Sequence, residues 1–487
     1  GEDGKVCLSQ TQIEEALRSI RTDSLRYYIG ENLNQAVGLL TTENREEWAV
    51  RREKLRLASG ENASSLQRID SAIFVLCLDD TSPSSQAETA SNSLHGTSEL
   101  AAAEGYAAGV QVGTCINRWY DKSLSIIVCQ NGAAGINFEH SVIDGHSVLR
   151  FASDVFTDTI LTFAENIRKG FKQHKSSGPV RSGGGGGQGL KKSTSFGMAL
   201  EEHVWHKIEW VLEEDTLSAL LKAEARLGDA IPQVDLQVLE YAGYGKNFIT
   251  SNKISPDAYV QVAFQVAYHR VYRESVNTYE TLMTKRFFHG RTEAGFSVTK
   301  ESIALAKSFD AADMSPDSLA ELIRRAADAH VAVVKLGSDG RGIRHMYAMR
   351  CLAEREAGGH IPEALRGNGW KTLSRILLST SNCGNPALRM FGFGPVEQDG
   401  FGIGYIVKDD NMGFCATSNH RQTARLMEAL HSTLSDMHDS LIGHGVGRVG
   451  ANVLRLNLSK WASDGKSPTL GGDRPLNMPS PLHAMRR

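Results

Sequence analysis

The stretch NFEHSVIDGHS, residues 137–147, gathers titratable side chains able to do chemistry. His140 stands four positions ahead of Asp144, and His146 follows Gly145. A neutral imidazole there can take a proton from a hydroxyl or a thiol, with the aspartate supporting local structure or charge. His140, Asp144 and His146 also invite a metal reading. Their spacing matches no common zinc arrangement, and the surrounding sequence offers no clear further ligand, so no metal is expected. Taken alone, His140 reads as an ordinary surface or core histidine.

The elements around it decide how it is presented. An apolar, β-branched run, Leu124–Cys129, leads through Asn131-Gly132 to Ile136-Asn137-Phe138, which predicts a hairpin delivering His140 to a strand end. Helical periodicity then runs from His146 to about Lys169. Upstream, a helix is expected over Gln10–Leu17, another within residues 39–55 capped by Thr42, and a buried strand over Ala72–Leu78. The polar stretch 81–98 reads as a loop. In the second half, Ser255-Pro256-Asp257 and Ser315-Pro316-Asp317 each carry a capping serine, a proline at the first helical position and an acid in the first turn. An amphipathic helix is expected over 215–227, an apolar strand runs into the hydroxyls Ser379-Thr380-Ser381, and 401–407 with 413–417 form a second hairpin. A last helix carries the stripe Leu426, Leu430, Leu434, Met437, Leu441.

At 487 residues the chain calls for more than one hydrophobic core. Its 41% hydrophobic and 22% charged content is that of an ordinary globular protein. A formal net charge of −3 disfavours nucleic acid or an anionic membrane as the main partner. No apolar run approaches the ~20 residues of a membrane-spanning helix. The 7 cysteines include no C-x-x-C pair, which points to a reducing compartment and to small core residues. The glycine run at 182–189 reads as a flexible linker or insertion rather than a phosphate loop, and residues beyond about 463 as a disordered tail. The chain opens on Gly1, as a fragment or processed form would.

Several blocks in order go beyond these patterns: NRWYDKS (117–123), NFEHSVIDG (137–145), GKNF…KISPDAYVQ (245–261), TYETLMTKRFFHGRT (278–292) and LSTSN…FGFGPV…DGFGIGY (378–405). Through them the chain resembles the choline/carnitine O-acyltransferases along nearly its whole length. The resemblance implies an α/β, two-domain CoA-dependent acyltransferase fold, each half like the chloramphenicol acetyltransferase subunit, with the site in a tunnel between them. The halves are expected at 1–212, short at its start and with the glycine-rich insertion near 176–192, and at 213–462, followed by the tail 463–487.

The resemblance also implies roles. His140 is the general base with Asp144 its accompanying acid, and Ser381 of the Ser-Thr-Ser motif donates to the oxyanion, with Ser379 beside it. Lys246, Lys253 and Asp257 fall at the CoA site, while a lysine common in relatives is Thr250 here. A carboxylate pocket of Tyr279, Thr281, Thr292 and Arg344 favours carnitine over choline, and Phe393 packs on the trimethylammonium group. Phe391 stands where long-chain relatives are small, which implies acetyl or short-chain preference. The implied activity is reversible acetyl transfer between CoA and carnitine, CoA acting as co-substrate and no cofactor being tightly bound. Choline acetylation, longer-chain transfer and an inactive truncated member are the alternatives. Small-molecule substrates, a monomeric state and a mitochondrial, peroxisomal or cytosolic location complete the expectation. An arginine that relatives carry after the GRT motif is missing, with Phe296 near its place.

Overall fold

Backbone alternation and helix caps sort the described residues into a three-stranded sheet, a six-stranded sheet and a short two-stranded pair, with helices packed against the larger two. The computed structural model describes residues 8–26, 36–100, 111–176, 205–356 and 359–443. The glycine-rich stretch 182–189 and the tail beyond 463 lie outside these residues.

Helices α1 (Gln10–Arg26), α2 (Arg45–Ala58) and α3 (Gly60–Ser71) lead to strand β1 (Val75–Leu78). Helix α4 (Gln86–Leu94) and the short pair β2 (Glu99–Leu100) and β3 (Gln111–Val112) precede the hairpin β4 (Leu124–Val128) and β5 (Ala134–Phe138). β4 lies parallel to β1 and antiparallel to β5 in a 3-stranded sheet. Gly132, at φ +83°, makes the turn of the expected hairpin. Helix α5 (Gly145–Ser176) follows.

Three expectations need correction. Of the run 72–78 expected as a buried strand, only Val75–Leu78 is strand, and Ile73 and Phe74 are exposed. Asn44, not Thr42, caps α2: its side chain accepts from the Glu47 N–H, while Thr42 lies in a preceding 3-10 turn and donates to the Leu39 carbonyl. The stretch read as a loop contains α4. Ser85 caps it by accepting from the Glu88 N–H, and the Glu88 carboxylate reaches back to the Ser84 N–H at 2.6 Å. Its one buried residue is Asn92, so no apolar stripe announces it.

The NRWYDKS block explains itself here as structure. Arg118 forks onto Asp79 with both nitrogens at 2.8 Å, the two side chains being 3% and 0% exposed. A buried charge persists only when so paired. Asp121 accepts from Trp48 Nε1 at 2.6 Å, and Lys122 Nζ donates to the Ile69 carbonyl at 2.7 Å, tying the hairpin to α2 and α3.

The second half begins with α6 (Glu214–Ala230), which buries Ala219, Leu220 and Ala223 against Leu39, Leu40, Trp48 and Leu55. Next come β6 (Asp235–Tyr241), α7 (Lys246–Ser251), α8 (Pro256–Tyr272), β7 (Thr278–Met283), β8 (Thr292–Phe296), α9 (Lys300–Ser308), α10 (Pro316–Ser338), α11 (Arg344–Glu356) and α12 (Asn368–Ser374). Strands β9 (Leu378–Asn382), β10 (Phe401–Val407) and β11 (Met412–Ser418) precede α13 (Thr423–Ile442). The 6-stranded sheet runs β6-β11-β10-β9-β7-β8, with β9 parallel to both of its neighbours. Ser255 and Ser315 cap α8 and α10 as their sequences predict. Every residue from Ala258 to Tyr268 is buried, and α8 packs with α10 and α13 on one side of the sheet.

The other side has a close crossing that only glycine permits. The segment 391–394 passes over β10, so that a Cβ on Gly404 would stand 2.6 Å from the Phe391 carbonyl carbon and 2.8 Å from its ring. A Cβ on Gly402 would meet the Phe393 carbonyl at 2.7 Å. Backbone cannot yield as a side chain end does, so Gly404→Ala is expected to cost about 1–3 kcal/mol, seen as a lower urea midpoint at unchanged slope. An unchanged midpoint would show that the segment moves freely.

Candidate active site

Strand alternation puts side chains two apart on one face. Tyr279 of β7 pairs with Ser379 of β9 and Phe296 of β8, and Thr281 pairs with Ala294. Ser379 and Ser381 pair in turn with Gly402 and Gly404. Tyr279, Thr281, Thr292, Ser379 and Ser381 therefore share one face, opposite to that covered by α8 and α10. Phe391 and Phe393 lie over the glycines of the same face, their rings 5.8 Å apart. Thr281 Oγ1 donates to the Tyr279 hydroxyl at 3.4 Å.

The histidine loop reaches this sheet from the other half of the chain. β5 ends at Phe138, and the turn that follows leaves the His140 side chain 61% exposed, with its ring 5.6 Å from that of Phe138. Its Nδ1 lies 3.6 Å from Asp144 Oδ1, beyond hydrogen-bond length. Asp144 is itself buried and belongs to Arg291, which follows Gly290 in the β7–β8 connection. Arg291 Nη2 donates to Asp144 Oδ1 at 2.7 Å, and Nε stands 3.2 Å from both carboxylate oxygens. The same guanidinium donates to the backbone carbonyls of His140 and Ser141, each at 3.3 Å. One arginine thus fixes both the acid and the main chain of the histidine loop. At the start of α5, Gly145 brings the chain against the end of β9: a Cβ there would stand 3.3 Å from Cys383 Sγ.

Other expected residues sit apart from this face. Lys246 opens α7 and Lys253 adopts φ 62°, both exposed. Asp257 in the first turn of α8 is engaged within the protein, accepting from Tyr405 Oη at 2.7 Å and from Asn382 Nδ2 at 3.0 Å. Arg344 starts α11; its N–H donates to Glu293 Oε1 at 3.1 Å and its Nε lies 3.9 Å from the same oxygen. Glu293 alternates with Thr292 along β8, so these contacts do not bring Arg344 to the Tyr279 face. His146 lies in the first turn of α5, exposed, and not among the groups that could share a metal ion.

Arg291 was not singled out in the sequence, although it lies inside the block TYETLMTKRFFHGRT. It is 147 positions from Asp144, and no local spacing links them.

A hairpin-borne histidine whose loop is tied by Arg291 to the β7–β8 connection, and a sheet face that carries hydroxyls, are groups of the kinds that proton transfer and oxyanion stabilisation use in a mixed α/β fold. The choline/carnitine O-acyltransferase family model matches residues 1–434, and the chain belongs to that family. It is 40% identical over 414 residues to a Saccharomyces cerevisiae protein named "Putative mitochondrial carnitine O-acetyltransferase", covering 82% of this chain and 59% of that one. It is 33% identical over 409 residues to mitochondrial carnitine O-palmitoyltransferase 2 of Xenopus tropicalis, covering 82% and 55%. With carnitine O-acetyltransferase of Columba livia it shares 28% identity over 420 residues, covering 84% and 60%. The chain thus spans less than two thirds of the length of these relatives. Among solved structures, the epimerization domain of tyrocidine synthetase B aligns with 76% of this chain and 81% of that one, at 9% identity and a TM-score of 0.34.

The Arg291 fork holds the Asp144 carboxyl below the usual carboxylate range, first by hydrogen bonding and then by charge. A depressed folded value stabilises the fold above the unfolded carboxylate pKa of about 3.9, and the contribution is lost as pH falls through the folded value. Arg291→Met should therefore melt below wild type at neutral pH, with the gap closing below about pH 4. Melting curves with a constant gap from neutral to acid pH would contradict the fork's charge contribution.

Proposed function

We propose that this chain is a carnitine O-acyltransferase, moving a short acyl group, acetyl above all, between CoA and the carnitine hydroxyl. The observation that carries the reading is the Arg291 clamp, which ties the His140 loop to the β7–β8 connection of the sheet whose one face bears Tyr279, Thr292 and Ser381. His140 takes the proton of the carnitine hydroxyl, and the oxygen attacks the thioester carbonyl. The Ser381 hydroxyl donates to the resulting oxyanion. Collapse breaks the carbon–sulfur bond, and the departing thiolate takes the proton from the imidazolium, restoring neutral His140. No acyl-enzyme forms. Asp144 acts on this sequence through Arg291 and the loop, since its oxygen is too far from Nδ1 for a hydrogen bond.

Tyr279, Thr281 and Thr292 supply hydroxyls for the carnitine carboxylate, with Arg344 as the cation, and Phe393 faces the trimethylammonium group. The side chain of Arg344 is 54% exposed, and binding of the carboxylate would draw it from Glu293. Lys246 and Lys253, exposed beside the start of α8, meet the phosphates of CoA. Relatives named mitochondrial favour that compartment.

CoA release from acetyl-CoA by the complete protein tests the reading. It should depend on L-carnitine and be weak with choline; release with choline alone, or none with either, overturns it. Acyl length depends on Phe391, whose backbone is pinned over Gly404. Phe391→Gly should shift preference towards longer acyl-CoA, and an unchanged profile would remove Phe391 as the determinant.

A further inference from the structure

Behind the strands of the candidate site lies a buried polar cluster that proton transfer at His140 does not use. Glu280 stands between Tyr279 and Thr281 on β7, so alternation turns it to the helix-covered face. There its Oε2 lies 2.8 Å from Nε2 of His330 on α10. The two residues are 3% and 1% exposed. Among the described residues, Glu280 Oε2 and both His330 nitrogens are buried with no aligned hydrogen-bond partner, so the approach of Oε2 and Nε2 is the one close polar contact each of those two atoms has.

Proton counting narrows what joins them. Tyr405 Oη lies 2.7 Å from Asp257 Oδ1 and 3.3 Å from Glu280 Oε1, and accepts from Gln261 Nε2 at 2.9 Å. Burial raises this phenol well above its ordinary pKa, so it stays protonated. The one phenol proton is shared, its shorter bond going to Asp257 and its longer one to Glu280 Oε1, which ties Glu280 to Tyr405. Glu280 Oε2 is left facing His330. Burial pushes the Glu280 carboxyl up to about 7. Asp257, Glu280 and His330 also have the composition of a cation site. At 2.8 Å, however, Glu280 Oε2 and His330 Nε2 are closer than the roughly 3.4 Å between two ligands on one tetrahedral ion, and Asp257 Oδ1 is already bonded by Tyr405 and Asn382.

The cluster is wired to β9. Asp257 holds Asn382, the neighbour of Ser381. Gln261 Nε2 donates to Thr380 Oγ1 at 2.8 Å, and Thr380 donates to the Tyr279 carbonyl at 2.7 Å. Ser297 Oγ fixes the amide oxygen of Gln261 at 2.6 Å.

We propose that Glu280 and His330 share one proton and form a positioning pair that, through Tyr405, Asp257 and Gln261, holds β9 so that Ser379 and Ser381 keep their places on the opposite face. This rests on the reading of Ser381 as oxyanion donor. The test separates positioning from stability. Glu280→Leu orphans His330 and should lower both melting temperature and kcat. The double variant Glu280→Leu/His330→Leu replaces both partners by apolar groups and should regain the melting temperature. Its kcat for acetyl transfer should stay about tenfold low, with KM for acetyl-CoA and carnitine within about twofold of wild type. Recovery of kcat together with the melting temperature overturns the proposal. So does a wild-type kcat in all variants, or a divalent cation that co-purifies with the wild type and is lost in His330→Leu. If Glu280→Leu fails to fold, the double variant and a downfield imidazole proton resonance of the wild type, absent in His330→Leu, carry the test; lack of that resonance counts against the pair. Ser381→Ala, assayed alongside, distinguishes the two failures. A normal kcat there refutes the oxyanion reading and the proposal with it. A low kcat there with a recovered double variant refutes the pair alone.

Discussion

The charge-assisted fork of Arg291 on Asp144 is the interaction on which the site depends. It spans the two halves of the chain, and the same guanidinium holds the His140 and Ser141 carbonyls. Such forks are directional, since two planar groups must face each other. An exposed histidine on a turn would otherwise sample many positions. Here its main chain is pinned while the imidazole remains 61% exposed and available to a substrate.

The six-stranded sheet separates two kinds of chemistry by its alternation alone. One face gathers Tyr279, Thr281, Ser379 and Ser381, and on the same face the 391–394 segment crosses β10 where Gly402 and Gly404 permit it. The other face hides Glu280, Thr380 and Tyr405 among α8, α10 and α13. Neighbouring residues of one strand therefore serve opposite ends: Tyr279 stands with the hydroxyls, Glu280 with His330.

Much of this was legible in the sequence where a signal was local. The hairpin before His140, the Ser-Pro-Asp starts of α8 and α10 and the stripe of α13 each rest on neighbours in the chain. Helix α4 was hidden because it buries little apolar surface, and the α2 cap was misplaced by two positions because a 3-10 turn intervenes. Arg291 escaped because its partner is 147 residues away. Glu280 and His330 escaped because their burial depends on the register of β7 against β9, which composition does not reveal. The hydroxyl face was reachable through the family blocks, whereas the position of Arg344 beside Glu293 was not.

The central claim is that His140 is the base for acyl transfer. It is tested most directly by the kcat of acetylcarnitine formation in His140→Ala, with folding checked by circular dichroism. The account predicts a fall of at least about a hundredfold, the range general base catalysis supplies, with little change in KM for either substrate. A folded variant within a few-fold of wild type would contradict it.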